Sequence, residues 1–414
     1  MKEERRIPEL FQSRALVCIG LVFLSLVVVM NAMIRGEQQF AFLAQSFLHG
    51  DLDLVGPALS NVADMTPHQG RYYWPLGPLP AILLMPFEFA TAAFGAFFYQ
   101  GYLQPFLAFA LVAVVYRIAR RIGYCSGDAG HLAFGFAFAT AFLGVCLWSW
   151  SWYFSQVLTC LLVFAAIAEM TGRQRPFVIG TLFALTLATR ATAALGLLWC
   201  IGETLSSRAP WREKLRSLAA MGLPCLVVLV SLLIYNYARF GNAFDQGYAN
   251  QIIPPHAEAA RDMGLLSFRH LPGNLYYLLL ASPSPVKYGS ESLVLAFPFL
   301  AANPWGMGLF VTSPCFLYLF GLKYRDATSR LLLLTVIVIA LPILTYYGVG
   351  YRQFGYRYSL DFLPMLYYLL MRNYHEQRAE LTSGFKVVLL VSATCNLYLF
   401  AGHFLWGMGP AIIP

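Results

Sequence analysis

The stretch ALVCIGLVFLSLVVVMNAM, residues 15–33, decides the fold class of this chain. It carries no charged side chain, and it matches the ~20 apolar residues that a helix needs to cross a bilayer. The basic segment MKEERRIPELFQSR precedes it, and no small-residue cleavage site follows. This pattern predicts an uncleaved signal anchor that spans the membrane over residues 14–33.

The composition extends this interpretation to the whole chain. Its 414 residues are 59% hydrophobic and 12% charged, whereas a soluble domain has roughly 45–50% apolar and 25% charged residues. The net charge of +8 is explained by basic loops on a cytoplasmic face. We see no zinc finger, RNA-binding signature or basic helix, so no nucleic-acid partner is expected.

Apolar stretches of spanning length recur along the chain and predict an all-α membrane protein with about 11 transmembrane helices. The predicted spans are 14–33, 100–119, 129–148, 153–170, 177–190, 191–204, 217–237, 306–322, 331–348, 359–371 and 385–404. The eight cysteines form no CxxC pair and mostly lie inside these runs, which is typical of core residues.

Clusters of basic residues orient the spans, because cytoplasmic loops are enriched in Lys and Arg. The clusters are Lys2/Arg5/Arg6/Arg14, Arg117/Arg120/Arg121, Arg173/Arg175, Arg208/Arg212/Lys214/Arg216, Lys323/Arg325/Arg330 and Arg372/Arg378/Lys386. Placing all of them inside predicts a cytoplasmic N-terminus. It also makes 177–204 a tight hairpin with Arg190 at its outer tip, and makes Pro75–Gly95 dip into the membrane or lie along its surface.

The predicted domain organisation is one polytopic membrane domain, 1–414. Its two long loops, 34–99 and 238–305, both lie outside. The absence of an Asn-x-Ser/Thr acceptor favours a bacterial inner membrane over a secretory-pathway membrane.

The first outer loop offers a candidate base. Glu37 follows the first span by about four residues, which places a carboxylate at the membrane surface. An amphipathic helix is predicted next, lying in the interface plane and ending at Gly50. Its apolar face comprises Phe40, Leu43, Phe47 and Leu48. On chemistry alone, Glu37 is also compatible with a solvated loop acid or with a charge at a helix N-terminus. Asp51 and Asp53 are alternative bases or simple turn residues.

The segment MTPHQGRYYWPLGPLP (65–80) has two interpretations. Tyr72, Tyr73 and Trp74 suit the aromatic belt of a membrane interface, or they form a platform for a sugar ring. Arg71 is a candidate phosphate ligand, whereas His68 is a lone histidine.

The second outer loop begins with YNYARFGNAFDQGY (235–248). Its polar residues Arg239, Asn242, Asp245 and Tyr248 either bind an acceptor or form a helix cap and turn. Farther on, Lys287 lies in SPSPVKYGSES, where a lysine can meet a phosphate or an anionic lipid.

Three arginines lie close to apolar segments. Arg190 separates two short apolar runs, where a charge either faces a cavity or partner or snorkels to the surface. Arg352 and Arg357 open the late span GYRQFGYRYSLDFLPMLYYLLM (350–371). Asp361 follows Arg357 at the i,i+4 spacing of a helical pair, which predicts that it orients that arginine.

Taken in order, four motifs resemble the GT-C superfamily of polytopic glycosyltransferases. The resemblance is strongest to protein O-mannosyltransferases, lipid A aminoarabinose transferases and related bacterial lipopolysaccharide-modifying transferases. The motifs are RGEQQFAFLAQSFLHGDLDL (35–54), GRYYWPLGPLPAILLMPF (70–87), LTLATRATAALG (185–196) and YRYSLDFLP (356–364). Two positions depart from the family pattern: Glu37-Gln38 replaces an adjacent Asp-Glu pair, and Trp74 stands where a basic residue is common.

The resemblance implies transfer of a sugar from a polyprenyl-phosphate donor to an extracytoplasmic glycan, lipid or protein acceptor. Glu37 would be the base of an inverting displacement, and neither a cofactor nor a divalent metal is expected. The donor phosphate would be held by Arg71, Arg190, Lys287, Arg352 and Arg357. The acceptor would meet Tyr72, Tyr73, Asp245 and Tyr248, with Asp51 and Asp361 in support.

Two other functions fit an apolar chain of this kind. A transporter or flippase usually binds its cargo at the bilayer midplane between paired repeats, but we find no repeat here and the charges gather at one face. The second alternative is a non-catalytic membrane protein of envelope polysaccharide assembly.

Overall fold

The computed structural model describes residues 9–288 and 293–402, and it is mostly helical, which confirms the predicted fold class. The helices are α1 (Glu9–Met33), α2 (Gln39–Leu48), α3 (Leu79–Ala92), α4 (Gln104–Ile122), α5 (Ser126–Phe138), α6 (Phe142–Leu147), α7 (Ser151–Met170), α8 (Pro176–Leu187), α9 (Ala191–Ala194), α10 (Leu197–Ser206), α11 (Trp211–Phe240), α12 (Pro255–Arg261), α13 (Leu271–Leu279), α14 (Leu309–Thr312), α15 (Ala327–Thr345), α16 (Leu363–Arg378) and α17 (Ser383–Ala401).

Short elements connect these helices. They are the 3-10 helices Gly56–Ser60, Gln100–Tyr102, Tyr248–Asn250, Phe268–His270, Pro314–Gly321 and Arg357–Asp361, and the strands β1 (Thr66–His68), β2 (Arg71–Tyr73), β3 (Ser284–Lys287) and β4 (Leu295–Ala301). The strands form two antiparallel hairpins, β1–β2 and β3–β4.

Six helices among the described residues are long and apolar enough to cross a membrane. These candidate spans are Ala15–Met33, Gln100–Ile122, Ser151–Met170, Trp211–Phe240, Ala327–Thr345 and Ser383–Ala401. The other predicted spans consist of shorter pieces: 129–148 becomes α5 and α6, and 306–322 becomes α14 and a 3-10 helix. The predicted number of eleven crossings therefore stays a prediction.

The predicted cytoplasmic loops meet at one end of the helical bundle. Arg372 forms ion pairs with Asp326 at 2.9 Å and with Glu376 at 2.8 Å, and Lys386 lies 2.7 Å from Asp128. These contacts join loops that the basic clusters assign to one face. The cluster Lys2/Arg5/Arg6/Arg14 lies outside the part of the chain whose side chains are described.

The first predicted outer loop folds into a small core of its own. Phe40 and Leu43 of α2 are buried with Trp74, Ala81 and Leu84. The predicted helix is therefore present, and Phe40 and Leu43 of its apolar face pack in this core, whereas Leu48 is exposed. Its placement in the interface plane stays a prediction.

α3 begins at the proline-rich segment that was expected to dip. Its 14 residues span about 21 Å at 1.5 Å per residue, which is less than the ~30 Å hydrocarbon core. Glu88 on this helix is buried, and its carboxylate accepts a hydrogen bond from Gln45 Nε2 at 3.1 Å. This bond ties α3 to α2.

Candidate active site

Glu37 lies in the short connection between α1 and α2, and polar contacts hold its backbone. Its carbonyl oxygen accepts hydrogen bonds from Gln100 Nε2 at 2.9 Å and from Ser151 Oγ at 3.4 Å. The next residue, Gln38, accepts a hydrogen bond from the Gln100 N–H at 2.9 Å through its side chain. Gln38 therefore anchors the loop that carries Glu37.

Gly36 allows this loop to pass an aromatic ring. A Cβ atom at this position would lie 1.8 Å from Trp150 Nε1, far inside any permitted contact. Only glycine fits there without movement of the tryptophan or of the loop. This close approach restricts the position of the loop that carries Glu37.

The first turn of α7 organises three separate segments of the site. Ser151 holds the carbonyl of Glu37, and Trp152 Nε1 donates to the Asp64 carboxylate at 3.1 Å. The Tyr153 hydroxyl donates to the carbonyl oxygen of Arg352. Three consecutive side chains thus bring together Glu37, Asp64 and Arg352, which are widely separated in the sequence.

The surroundings of Glu37 raise the pKa of its carboxyl from 4.5 to about 7. Desolvation by burial is the largest cause, and the negative charge of Asp64 adds to it. The guanidinium groups of Arg352 and Arg357 act in the opposite direction. A carboxyl with a pKa near neutrality is suited to accept a proton.

Asp64 is a site residue that sequence reasoning missed. Burial raises its pKa, while the hydrogen bond from Trp152 and the charge of Arg357 oppose the rise. Its backbone has a positive φ of 63°, and its carbonyl accepts a hydrogen bond from Gln251 Nε2 at 2.9 Å. An aspartate in ADMTP has no local pattern that distinguishes it from a turn residue, so only the fold reveals it.

Arg357 is buried beside these carboxyls, with 5% of its surface exposed. Its Cζ lies 4.7 Å from the ring centre of Tyr358, and 5.6 and 5.8 Å from those of Tyr153 and Trp152. Among the described residues, neither its Nε nor its Nη1 has a hydrogen-bond partner. Buried donors left without partners cost about 1–3 kcal/mol, and an anionic ligand would satisfy them.

Arg352 lies at the rim of the same group. It is exposed, it adopts a positive φ of 49°, and its Cζ lies 6.0 Å from the ring centre of Trp150. Arg352 therefore adds a solvent-facing positive charge near Glu37.

The predicted pairing of Asp361 with Arg357 is wrong. Asp361 instead pairs with Arg190, whose Nε and Nη2 lie 2.6 and 3.1 Å from the two carboxylate oxygens. Thr192 also donates to this carboxylate. The physical reason is that Arg357–Asp361 forms a 3-10 helix, in which side chains four residues apart do not stack as they do in an α-helix.

A cavity of about 420 Å³ lies next to this group of residues. Leucines of α11 and residues of α15 line its apolar part, including Leu229, Leu233, Pro342 and Ile343. Its polar lining includes Arg190, Asn236, Arg239, Tyr248 and Tyr358. Trp152 and Tyr358 line the cavity and also face Arg357, so they connect it to the surroundings of Glu37.

Arg239 is held firmly in the cavity wall. Its Nη1 donates to the carbonyl of Trp74 at 2.8 Å, and its Nη2 donates to Asn236 Oδ1 at 2.7 Å. Its Cζ lies 3.9 Å from the ring centre of Tyr235. A guanidinium therefore meets the backbone of Trp74 at the cavity wall.

Tyr248 joins the cavity from the second outer loop. Burial raises the pKa of its hydroxyl to about 12, with Arg190 acting in the opposite direction. Its neighbour Asp245 accepts a hydrogen bond from the Gly247 N–H at 2.7 Å, which is the side-chain contact of an Asx turn.

Several candidates from the sequence lie elsewhere. Arg71 is paired with Asp53 at 3.1 Å and leaves 60% of its side chain exposed. Lys287 lies exposed on β3, and Asp51 is exposed after α2. Tyr73 packs edge-on against Phe240 at 5.2 Å, and Tyr72 pairs with Leu54 in a β-bridge. Their predicted contacts with substrate stay predictions.

Within residues 9–288 and 293–402, no group of three or more His, Cys, Asp or Glu side chains is placed to hold a metal ion.

No family model and no curated protein matches the chain. Among solved structures, it is similar to the apo oligosaccharyltransferase of Archaeoglobus fulgidus, with 13% identity, a TM-score of 0.41, and coverage of 92% of this chain and 56% of that one. A second similar structure is the oligosaccharyltransferase AglB of the same organism in complex with an inhibitory peptide and a dolichol-phosphate. Its identity is 13%, its TM-score is 0.43, and the coverage is 92% and 55%.

The chain thus spans little more than half the length of these proteins.

Proposed function

We propose that this protein is a membrane glycosyltransferase that moves a sugar from a polyprenyl-phosphate donor to an extracytoplasmic acceptor. One observation carries the proposal. The Glu37 carboxyl, with a pKa near 7, lies in the same group of residues as the buried guanidinium of Arg357. Among the described residues, the Nε and Nη1 donors of this guanidinium have no hydrogen-bond partner. A base and an anion site beside an apolar cavity match a lipid-phosphate sugar.

In this mechanism Glu37 takes the proton of an acceptor hydroxyl as its oxygen attacks the anomeric carbon. The bond between that carbon and the phosphate oxygen breaks, and the configuration inverts. General-base catalysis of this kind typically contributes about 10²–10⁴-fold. Asp64 is a positioning residue in this scheme, because its charge helps to keep the Glu37 pKa high enough for proton uptake.

The leaving phosphate gains negative charge, and Arg357 is the group that stabilises it. A preorganised cation at the developing charge is usually a large catalytic contribution, and a guanidinium can bind phosphate in a bidentate manner. Arg352 would assist from the solvent side. Arg190 is already engaged by Asp361, so we assign it to the cavity wall and not to phosphate binding.

The cavity would take the first part of the polyprenyl chain. Its apolar wall is formed by α11 and α15, both candidate membrane spans, so a lipid could approach from the bilayer. Arg239 would then lie between the lipid and the segment around Trp74. Its guanidinium would supply the positive charge that a basic side chain at position 74 would otherwise supply. This arrangement favours a lipid-linked donor over a water-soluble nucleotide sugar.

The direct test is transfer by the purified protein in liposomes that contain a bacterial membrane extract as the source of acceptors. Radiolabelled polyprenyl-phosphate sugars and a nucleotide sugar are supplied in separate reactions. We expect label to leave at least one polyprenyl phosphate and enter a new product. If every lipid-linked donor stays intact, or if only the nucleotide sugar is consumed, the proposal is wrong.

The proposed location is a bacterial inner membrane with the site on the periplasmic side. Alkaline phosphatase, which is active only outside the cytoplasm, should be inactive when fused after Arg175 and active when fused after Asn242. The reverse pattern would place Glu37 and Arg357 in the cytoplasm and contradict this orientation.

A further inference from the structure

The hairpin formed by β3 and β4 is unusual for a loop that faces water. Residues 293–302 read LVLAFPFLAA and contain no polar side chain. Leu293 is 92% exposed, and Phe299 on β4 is 50% exposed. Contiguous exposed apolar side chains generally mark an interaction surface.

Part of β4 packs on α17, and much of the rest of the strand is exposed. Pro298 is buried, and its carbonyl oxygen accepts a hydrogen bond from the Tyr398 hydroxyl of α17. Leu295, Phe299 and Leu300 are exposed. Together these side chains form the exposed face of the hairpin, which on β4 is entirely apolar.

The hairpin is attached to the last turn of α17. The N–H of Ala302 donates to the carbonyl of Leu399 at 3.2 Å, and a Cβ on Gly402 would come within 3.0 Å of the Leu300 carbonyl. α17 has 19 residues and is apolar enough to span, and its length of about 28 Å is close to the ~30 Å hydrocarbon core. As a span, α17 would place its end, and hence the hairpin, at a membrane boundary.

The exposed apolar surface continues from the helix to the hairpin. Val387, Val391 and Tyr398 of α17 are exposed, as expected of a span that meets lipid. Lys287 and Tyr288 stand across from β4 and are also exposed. A lysine that can snorkel and an interfacial tyrosine are the residues expected where hydrocarbon meets headgroups.

We propose that the exposed face of the β3–β4 hairpin docks into the outer headgroup region of the bilayer and anchors the second outer loop to the lipid surface. Water still reaches this region, so the edge of β4 need not leave its backbone groups unsatisfied. The bilayer, and not a second protein, is the partner because the apolar face adjoins the lipid-facing side of a span. The inference does not depend on the proposed catalytic activity.

Collision measurements on a nitroxide spin label test this docking. Cys18, Cys125 and Cys395, the exposed cysteines, are first replaced by serine. A label is then attached at Leu295→Cys or Phe299→Cys, and the full chain is reconstituted in vesicles of phosphatidylethanolamine and phosphatidylglycerol. Val391→Cys on α17 is the lipid reference, and Asn242→Cys in an exposed turn is the water reference.

We expect the oxygen-to-nickel-chelate accessibility ratio at Leu295 and Phe299 to be several-fold higher than at Asn242, and closer to the value at Val391. A ratio equal to that at Asn242 would overturn the proposal, since the hairpin would then stand in water. An immobilised label shielded from both reagents would also overturn it, because a protein partner would then cover this face. Two independent labelling positions ensure that a poorly folded variant does not decide the outcome.

Discussion

At the scale of single residues, the proposed chemistry depends on the carboxyls of Glu37 and Asp64. At Glu37-Gln38 the sequence has one acid where the family that it resembles has two adjacent ones. A second carboxyl near Glu37 comes from Asp64, which accepts a hydrogen bond from Trp152 Nε1. Its effect on Glu37 is electrostatic, because two neighbouring carboxylates disfavour each other's ionisation.

The raised pKa of Glu37 makes stability depend on pH in a defined direction. The folded state holds the Glu37 proton more tightly than the unfolded chain, so this stabilisation is present at low pH and is lost as pH rises from 4.5 through about 7. Glu37→Gln removes the loss. The free energy of unfolding of this variant, relative to that of the parent, should rise by on the order of 3 kcal/mol between pH ~4 and pH ~8. Chemical unfolding in detergent measures this difference. A constant difference across this range would contradict the assigned pKa.

Asp64→Asn should shift the pH dependence of transfer. Removal of the negative charge lowers the pKa of Glu37, so the base stays ionised to lower pH. The acidic limb of kcat/KM against pH should therefore move to lower pH, with little change at alkaline pH. Asp51→Asn, a change in an exposed carboxyl of the same loop, is the control and should leave the limb in place. An upward shift in the Asp64 variant would refute the role of its charge.

At the scale of elements, the site is assembled by short and irregular segments between the helices. The order of motifs allowed Glu37 and Arg357 to be predicted, because each opens or follows an apolar span. The partner of Asp361 was missed because periodicity alone suggested an α-helix where a 3-10 helix forms. The burial of α2 was missed because an apolar helical face does not reveal whether lipid or protein will cover it.

The ion pair between Arg190 and Asp361 joins the α8–α9 connection to the start of α16. Both side chains are largely buried, so Asp361→Asn leaves a buried cation without its partner and should cost about 3–5 kcal/mol. The measurement is chemical unfolding in detergent. Glu169→Gln removes the carboxylate of the more exposed pair with Arg175 and should cost less than about 1 kcal/mol. Equal losses in the two variants would contradict this difference.

Gly36→Ala tests the close approach of the Glu37 loop to Trp150. The new methyl group overlaps the indole, so the loop must shift and displace the base. A displacement of about 1 Å can cost on the order of 10²-fold in rate, and a loss of this size in kcat is expected. Gly222→Ala on α11, where nothing lies within 4 Å, should be neutral. Full activity of the Gly36 variant would show that the placement of Glu37 tolerates movement.

At the scale of the whole molecule, the helices separate two ends with different character. One end gathers the predicted cytoplasmic loops through ion pairs such as Arg372 with Asp326. The other end holds Glu37, Asp64, Arg357 and the cavity. Composition and charge clusters predicted this polarity, since both follow from the cost of burying charge in lipid. The contacts within the site could not be predicted, because they depend on how the first turn of α7 meets three distant loops.

The central claim is that Glu37 is the base of sugar transfer, and replacing it is the most direct test. Glu37→Gln keeps the size of the side chain and one acceptor oxygen, but the amide cannot take up the proton of the acceptor hydroxyl. Glu88→Gln alters another glutamate, which is buried outside the site, and it serves as the matched control. Both variants and the parent are assayed for transfer from a polyprenyl-phosphate sugar in liposomes, at equal amounts of folded protein.

We predict that Glu37→Gln lowers the rate of transfer by about 10²–10⁴-fold while the control keeps the parental rate. Transfer by the Glu37 variant at the parental rate would contradict the account.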